Sequence, residues 1–93
     1  MEINDLVQNT LNAIKTYKEQ TPEHHILMHW VQITESNRVP GRILGVQAII
    51  FLNGKYTYTD FYLKGLKLML NAYDYNITIS KSQIKINFFI PLL

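Results

Sequence analysis

The chain contains no cysteine, so neither disulfide bonds nor a cysteine-ligated zinc site can hold it together. Charge is scarce as well, because only 17% of the residues are charged and the formal net charge is +2. The longest uninterrupted apolar run, residues 48–52, is far too short to span a membrane. The N-terminal sequence MEINDLVQ is acidic and amphipathic, unlike a secretory signal peptide. We therefore expect one domain over residues 1–93 that acts neither outside the cell through a signal peptide nor at a membrane.

Motifs that support catalysis are missing too. The chain has no nucleophile elbow, no glycine-rich phosphate loop and no paired-carboxylate motif. The only residues that suggest a metal-binding or catalytic site are His24, His25 and His29. On a helix, His25 and His29 would share a face, as the two histidines of the HExxH zinc motif do. The segment reads as a strand, however, where His25 and His29 would lie about 13 Å apart at ~3.3 Å per residue. We therefore predict no catalytic residue, metal or cofactor, and a polar histidine cluster at the entrance of a strand.

Hydrophobic periodicity predicts two helices and four to five strands, in the order helix, strand, strand, short strand, helix, strand, strand. The predicted helices are residues 3–20 and 59–75, and the predicted strands are residues 25–34, 42–52, 55–58, 76–80 and 83–90. Asn53-Gly54 indicates a tight hairpin turn before the short strand, and residues 76–80 could form either a strand or a turn. Thr59 is suited to cap the second helix. This order predicts an α+β fold of two layers with a mainly antiparallel sheet.

The second predicted helix has an unusually wide apolar surface. Its polar residues Asp60, Lys64, Lys67, Asn71 and Asp74 are spaced four, three, four and three apart, which places them on one narrow stripe. The positions between them are apolar, aromatic or glycine. Such a helix cannot lie on a small sheet and leave its other sides in water. We expect it to be covered by its own domain on one side and by another chain on the other.

The predicted sheet has two chemically different faces. The even-numbered positions of residues 44–52 form an aliphatic face, whereas Ile49 and Phe51, with Tyr56 and Tyr58 across the predicted hairpin, form an aromatic one. Either both helices cover the aliphatic face and leave the aromatic face open for a partner, or the second helix crosses over and buries it. Tyrosine suits a half-hydrated interface better than a closed core, which favours the partner surface. The candidate interface residues are Ile49, Phe51, Tyr56, Tyr58, Tyr62, Leu66, Phe89, Leu92 and Leu93.

An open aromatic sheet is also typical of proteins that bind single-stranded nucleic acid. Lys55 and Lys85 lie near the predicted aromatic face, but the other basic residues are scattered and no RNP-type sequence surrounds the aromatics. A stacking platform normally works inside a basic groove. Nucleic acid is therefore a partner that the sequence permits but does not favour.

Five segments together define the order of helices and strands along the whole chain. They are residues 3–14 (INDLVQNTLNAI), 26–35 (ILMHWVQITE), 45–52 (GVQAIIFL), 60–75 (DFYLKGLKLMLNAYDY) and 83–92 (QIKINFFIPL). In order and layout the chain resembles the bacteriophage tail-terminator, or tail-completion, family. The resemblance implies a homo-oligomeric ring that caps a tail tube and meets neighbouring structural proteins, in the virion or in the cytoplasm of a bacterial host. It carries over no catalytic residue, and the short loop after the first strand departs from the family.

A second class of protein would share these features. A small phage or mobile-element inhibitor that binds one host or defence protein would also be cysteine-free, poor in motifs and equipped with one open apolar face. The two hypotheses differ in solution mass, since a ring subunit forms concentration-dependent multimers and an inhibitor is a stable monomer.

Overall fold

The computed structural model describes residues 2–22, 26–53 and 60–92, except for the side chains of residues 60–62. The elements in chain order are α1 (Ile3–Gln20), β1 (Ile26–Glu35), β2 (Ile43–Asn53), α2 (Asp60–Met69), β3 (Asp74–Ile79) and β4 (Gln83–Pro91). The predicted α+β fold, with two helices and an antiparallel sheet, is confirmed. The short strand predicted at residues 55–58, its turn and the Thr59 cap lie outside the described residues. The predicted pairing of this strand with β2 is wrong, because β2 pairs with β1 on one side and with β4 on the other.

The four strands form one antiparallel sheet in the order β1-β2-β4-β3. Among the described strands, β1 and β3 are therefore at the edges, and β2 and β4 lie in the middle. Residues opposite one another on neighbouring strands share a face of the sheet. Val46 of β2 lies opposite Ile33 and Ile90 on one face. Ile49 lies opposite Trp30 on the other face.

Both helices pack on the same face of the sheet. The core joins α1 and α2 to the aliphatic positions of β2 and β4. Its fully buried side chains include Ile14 of α1, Ile50 of β2 and Phe88 of β4. The interpretation in which α2 crosses to the aromatic side is thus wrong, because Leu63 and Leu66 of α2 belong to this core.

The second helix is shorter than the predicted segment 59–75, because α2 ends at Met69. Asn71 has a φ of 56°, a left-handed conformation that terminates helices. The Asn71 N–H donates to the Leu68 carbonyl over 3.1 Å, and the following amide donates to the Lys67 carbonyl over 3.0 Å. These two bonds form a Schellman motif, which satisfies carbonyls at the helix end.

The early helix end changes where the apolar residues of this segment lie. The chain reverses within a few residues, so that β3 begins at Asp74 rather than at residue 76. Leu70 turns into the core, whereas Tyr73 is 64% exposed. The predicted polar stripe therefore breaks at Asn71, and the expectation of one long helix that is covered on two sides is wrong for residues 70–75.

The apolar C-terminal segment packs within the fold. Alternate residues of β4, including Phe88 and Ile90, are buried against the helices, and Leu92 packs against the same core. The Leu92 N–H donates to the Leu44 carbonyl over 2.9 Å, which extends the β2–β4 pairing by one residue. Leu44 itself is exposed, at the end of the predicted aliphatic face.

Among the described residues, no helix is both long enough and apolar enough to cross a membrane.

Candidate interaction surface

The face of the sheet that points away from α1 and α2 is the strongest candidate for a binding surface, and we call it the outer face. No described helix packs on it, since both helices belong to the core on the opposite side. Its central positions are Met28, Trp30, Gln32, Gln47, Ile49, Phe51, Asp74, Asn76, Thr78, Lys85, Asn87 and Phe89.

An aromatic and thioether patch occupies one half of the outer face. Trp30 is 39% exposed, and its ring centroid lies 5.3 Å from that of Phe51 on the next strand. Met28, opposite Phe51, is also exposed. The indole N–H of Trp30 donates to the Gln32 side-chain oxygen over 3.1 Å. The polar atom of the indole is thus satisfied within the chain, and its apolar ring is held beside Phe51 on the surface.

An amide pair crosses the middle of the outer face. The Asn87 side-chain nitrogen donates to the Gln47 side-chain oxygen over 2.9 Å. The Asn87 oxygen is buried and has no hydrogen-bond partner among the described residues. Beside the pair, Ile49 is only 3% exposed, although it faces away from the helices. An unsatisfied buried acceptor costs free energy, so this oxygen makes the middle of the outer face less stable than a fully paired amide would.

A second aromatic contact lies at the other end of the outer face. Phe89 is partly exposed, and its ring centroid lies 6.2 Å from that of Tyr73. The Tyr73 N–H donates to the Phe89 carbonyl over 2.9 Å, which holds the two residues together. The outer face therefore carries aromatic rings at both ends and amides between them.

The predicted interface residues divide into three groups. Phe51 and Phe89 lie partly exposed on the outer face. Ile49 is on the same face but is only 3% exposed, so it is buried rather than an exposed contact residue. Leu66 is wrong as an interface candidate, because it is 3% exposed and packs in the core. Leu92 is partly buried against that core. The remaining candidates, Tyr56, Tyr58, the Tyr62 side chain and Leu93, lie outside the described residues.

Sequence reasoning missed the contributions of Met28 and Trp30. Both alternate along β1 on one face, but only the pairing of β1 with β2 places them beside Phe51. That pairing contains a bulge between Ile26 and Met28, and a bulge shifts every later residue of the strand relative to its neighbours. The alternation of side chains along β1 could be recognised in the sequence, whereas the register of β1 against β2 could not.

The histidines do not form a metal site in the part of the chain that is described. No group of three or more potential ligands occurs there, and His24 and His25 fall outside it. His29 points to the helix side of β1 and is partly buried. Burial lowers the pKa of the His29 imidazole, and the positive charge of Lys18 on α1 lowers it further.

We expect His29 to make the fold less stable in acid. A histidine whose pKa is lowered by folding binds a proton more readily in the unfolded state, so stability is present above the unfolded pKa of about 6.5 and is lost as the pH falls below it. Urea titrations at pH 7.5 and pH 5.5 should show this loss, and His29→Gln should reduce it. An equal pH dependence in His29→Gln would show that other groups cause it.

A small cavity in the described structure holds no reactive group. It has a volume of about 110 Å³ and lies between α1 and the end of α2. Thr10, Met69 and Pro91 are among the residues that line it, and none of the described lining residues is charged. The Thr10 hydroxyl already donates to the Leu6 carbonyl of its own helix over 2.7 Å. This cavity therefore offers a small apolar recess and no arrangement for acid–base or nucleophilic chemistry.

Comparison with known protein families, with curated proteins and with solved structures finds no match for this chain.

Proposed function

We propose that this chain is a non-enzymatic structural subunit that works by packing against copies of itself and against neighbouring structural proteins. The observation that carries the proposal is the outer face, where Met28, Trp30 and Phe51 form one contiguous apolar patch. Large exposed apolar patches are rare on proteins that stay monomeric, and aromatic residues dominate binding energy at interfaces.

The size of the expected gain supports this role. Burying a fully exposed large apolar side chain contributes about 1.5–3 kcal/mol, so a partner that covers the exposed parts of Met28, Trp30 and Phe51 gains a fraction of that amount from each. The amides of Gln47 and Asn87 beside the patch supply polar contacts that fix its orientation. An apolar centre with polar groups around it is the usual composition of a specific protein interface.

We further propose that the assembly is a phage tail-terminator-like component of a virion. The support is the order of elements, which is helix, two long strands, helix and a closing pair of strands around one antiparallel sheet. Mass spectrometry of purified virions from the source that carries this gene tests this point. The chain should be present in a constant copy number per particle, and its absence from washed particles would rule the role out.

The charge of the outer face weighs against nucleic acid as the partner. Among the described strand residues of this face, Lys85 is the only basic one, and Asp74 is acidic. Single-strand binding proteins place their aromatic platforms in positively charged grooves. Trp30 and Phe51 alone do not meet that requirement.

The decisive experiment removes the aromatic patch. The double variant Trp30→Ser, Phe51→Ser should weaken self-association at least ~100-fold, since loss of one interface hot spot costs about 2 kcal/mol or more. Analytical ultracentrifugation over a range of concentrations measures the change, and circular dichroism checks that the helices remain.

Leu68→Ser is the matched control, because Leu68 is 78% exposed on α2, away from the outer face. We expect it to assemble like the wild type. Unchanged assembly of the double variant would show that the outer face is not the interface. A wild-type chain that stays monomeric at every concentration would refute self-assembly and favour the inhibitor.

A further inference from the structure

We propose that copies of this chain join edge to edge, with β3 of one copy paired antiparallel to β1 of the next in a continuous sheet. This inference rests on the proposed self-assembly and adds a second contact between copies, which uses the strand edges and leaves the outer face free for the contact proposed above. The contact is head-to-tail, so each copy uses one edge on either side. Repetition of such a contact builds a ring when the rotation closes and a filament when it does not.

The pattern of hydrogen bonds between neighbouring strands shows which backbone groups at the two edges are free. In an antiparallel sheet, every second residue of a strand bonds to one neighbour and the residues between them bond to the other. The Leu92 N–H to Leu44 carbonyl bond shows that even-numbered residues of β2 bond to β4, so odd-numbered residues bond to β1. Even-numbered residues of β1 from Met28 onward take up those bonds. The N–H and C=O groups of His29, Val31 and Ile33 therefore point away from the sheet.

The β3–β4 hydrogen bonds identify the free backbone groups of the opposite edge. The Ser80 N–H donates to the Gln83 carbonyl, so even-numbered residues of β3 bond to β4. The backbone groups of Tyr75, Ile77 and Ile79 point outward. No described residue bonds to the outward groups of Ile77 and Ile79. Neither edge carries proline or lysine within its strand, the residues with which proteins usually block edge pairing.

The two edges match in the side of the sheet to which their residues point. The outward backbone groups belong, on both edges, to residues whose side chains lie on the helix side of the sheet. When two copies keep the same orientation, β3 and the neighbouring β1 run antiparallel. Pairing then brings the helix-side residues of the two edges together, and all of them except His29 are apolar or aromatic. The outer face continues from one copy to the next.

One register fits best. With Val31 opposite Ile77 of the next copy, all six residues of β3 pair within β1. A shift of two residues in one direction places Ile79 against Leu27, which lies at the β1 bulge. The opposite shift carries Asp74 past the end of β1 at Glu35. The favoured register also places Gln32 opposite Asn76 on the outer face, which pairs two amides.

The helix layer explains why β1 pairs with β3 rather than with itself. α1 lies over β1 and β2, whereas Ile77 and Ile79 on β3 are exposed on the same side of the sheet, Ile79 by 76%. Two β1 edges would bring two copies of α1 together. Two β3 edges would place the exposed isoleucines of both copies side by side, with no α1 next to them. The β1–β3 joint places the α1 of the arriving copy beside them.

Charges at one end of the joint are also complementary. Asp74 is the only charged residue of β3, and in the joint it lies near the β1–β2 loop of the next copy, which carries Arg38 and Arg42. No ion pair joins these three residues to any other described residue. In the single chain the Asp74 carboxylate accepts the Tyr75 N–H over 2.8 Å. Assembly exchanges that bond for a strand pairing.

Engineered cysteines test the joint directly, because the chain has none of its own. Gln32→Cys and Asn76→Cys are at exposed positions that form a non-hydrogen-bonded pair in the proposed register, with Cα atoms ~4.5 Å apart, within disulfide range. Mild oxidation of a mixture of the two variants should give a disulfide-linked heterodimer. Neither variant alone should give a linked homodimer.

Register controls use neighbouring positions on β3. Asp74→Cys and Thr78→Cys, each mixed with Gln32→Cys, are expected to link at least ~10-fold more slowly, because diagonal neighbours lie ~7–8 Å apart. Faster linking at either control position would overturn the register. A homodimer of Gln32→Cys alone, or of Asn76→Cys alone, would overturn the head-to-tail pairing in favour of like edges.

Hydrogen exchange of the wild-type chain supplies a measurement that needs no variant. The amides of Val31, Ile33, Ile77 and Ile79 should exchange at least ~10-fold more slowly in concentrated than in dilute solution. A multimer with neither cross-links nor this protection would refute the edge joint and leave the proposed structural role intact. A wild-type monomer at all concentrations would refute both.

Discussion

Phe88→Ala is expected to lower the free energy of unfolding by about 3–5 kcal/mol, the usual cost of deleting a buried phenylalanine side chain. Phe88 is fully buried at the centre of β4, where its ring centroid lies 5.6 Å from that of Tyr75. Its neighbour across the sheet is Ala48, which is too small to fill the space. Small domains have about 0.05–0.15 kcal/mol of stability per residue, so this single change removes a large part of the total.

Urea denaturation followed by circular dichroism measures the loss, with the m-value as a check that the unfolded state is unchanged. Phe89→Ala is the matched control, because Phe89 is the next residue and lies partly exposed on the outer face. We expect it to cost clearly less than Phe88→Ala. Equal costs would contradict the assignment of the two faces.

Gly45→Ala is expected to destabilise the fold by about 1–3 kcal/mol through overpacking. A methyl group at Gly45 would lie directly against the Ile90 carbonyl oxygen and 2.9 Å from the Pro91 Cα. Both contacts are with backbone atoms, which cannot rotate away. The end of the β2–β4 pairing would have to separate, and the bulge opposite Thr34 would be disturbed.

Gly65→Ala provides the contrast for this prediction. Gly65 lies in α2 with no atom near the position of an added methyl group. Alanine there should stabilise the protein by up to ~1 kcal/mol, because glycine is a poor helix former. Thermal unfolding measures the stability of both variants. If Gly45→Ala is as stable as the wild type, β2 and β4 do not approach each other this closely at Gly45.

Much of the fold could be predicted because hydrophobic periodicity is local. The apolar stripe of α1 and the alternation of β4 each lie within one segment, and the structure confirms both. The end of α2 was not predictable in this way. Residues 70–75 keep a helical spacing of polar groups, but the left-handed Asn71 stops the helix before that pattern ends. Asparagine is tolerated inside helices as well as at their ends, so its presence did not settle the boundary.

The outer face was predictable only in part for a different reason. Phe51 could be placed from β2 alone, whereas Trp30 reaches it through the pairing of two strands. Pairing depends on bulges and on loop geometry, neither of which periodicity reveals. The burial of Leu66 also required knowledge of which side of α2 meets the sheet. Contacts between elements, rather than the elements themselves, limited the prediction.

Trp30 is the only tryptophan of the chain, and it lies at the open patch next to Phe51. Its fluorescence therefore originates from the very surface that the proposed partner would cover. Removal of water from an indole shifts its emission to shorter wavelength, and excitation at the red edge of the absorption band selects this residue over the tyrosines. The protein thus carries a built-in optical reporter of contact at its outer face, usable in a mixture without any label.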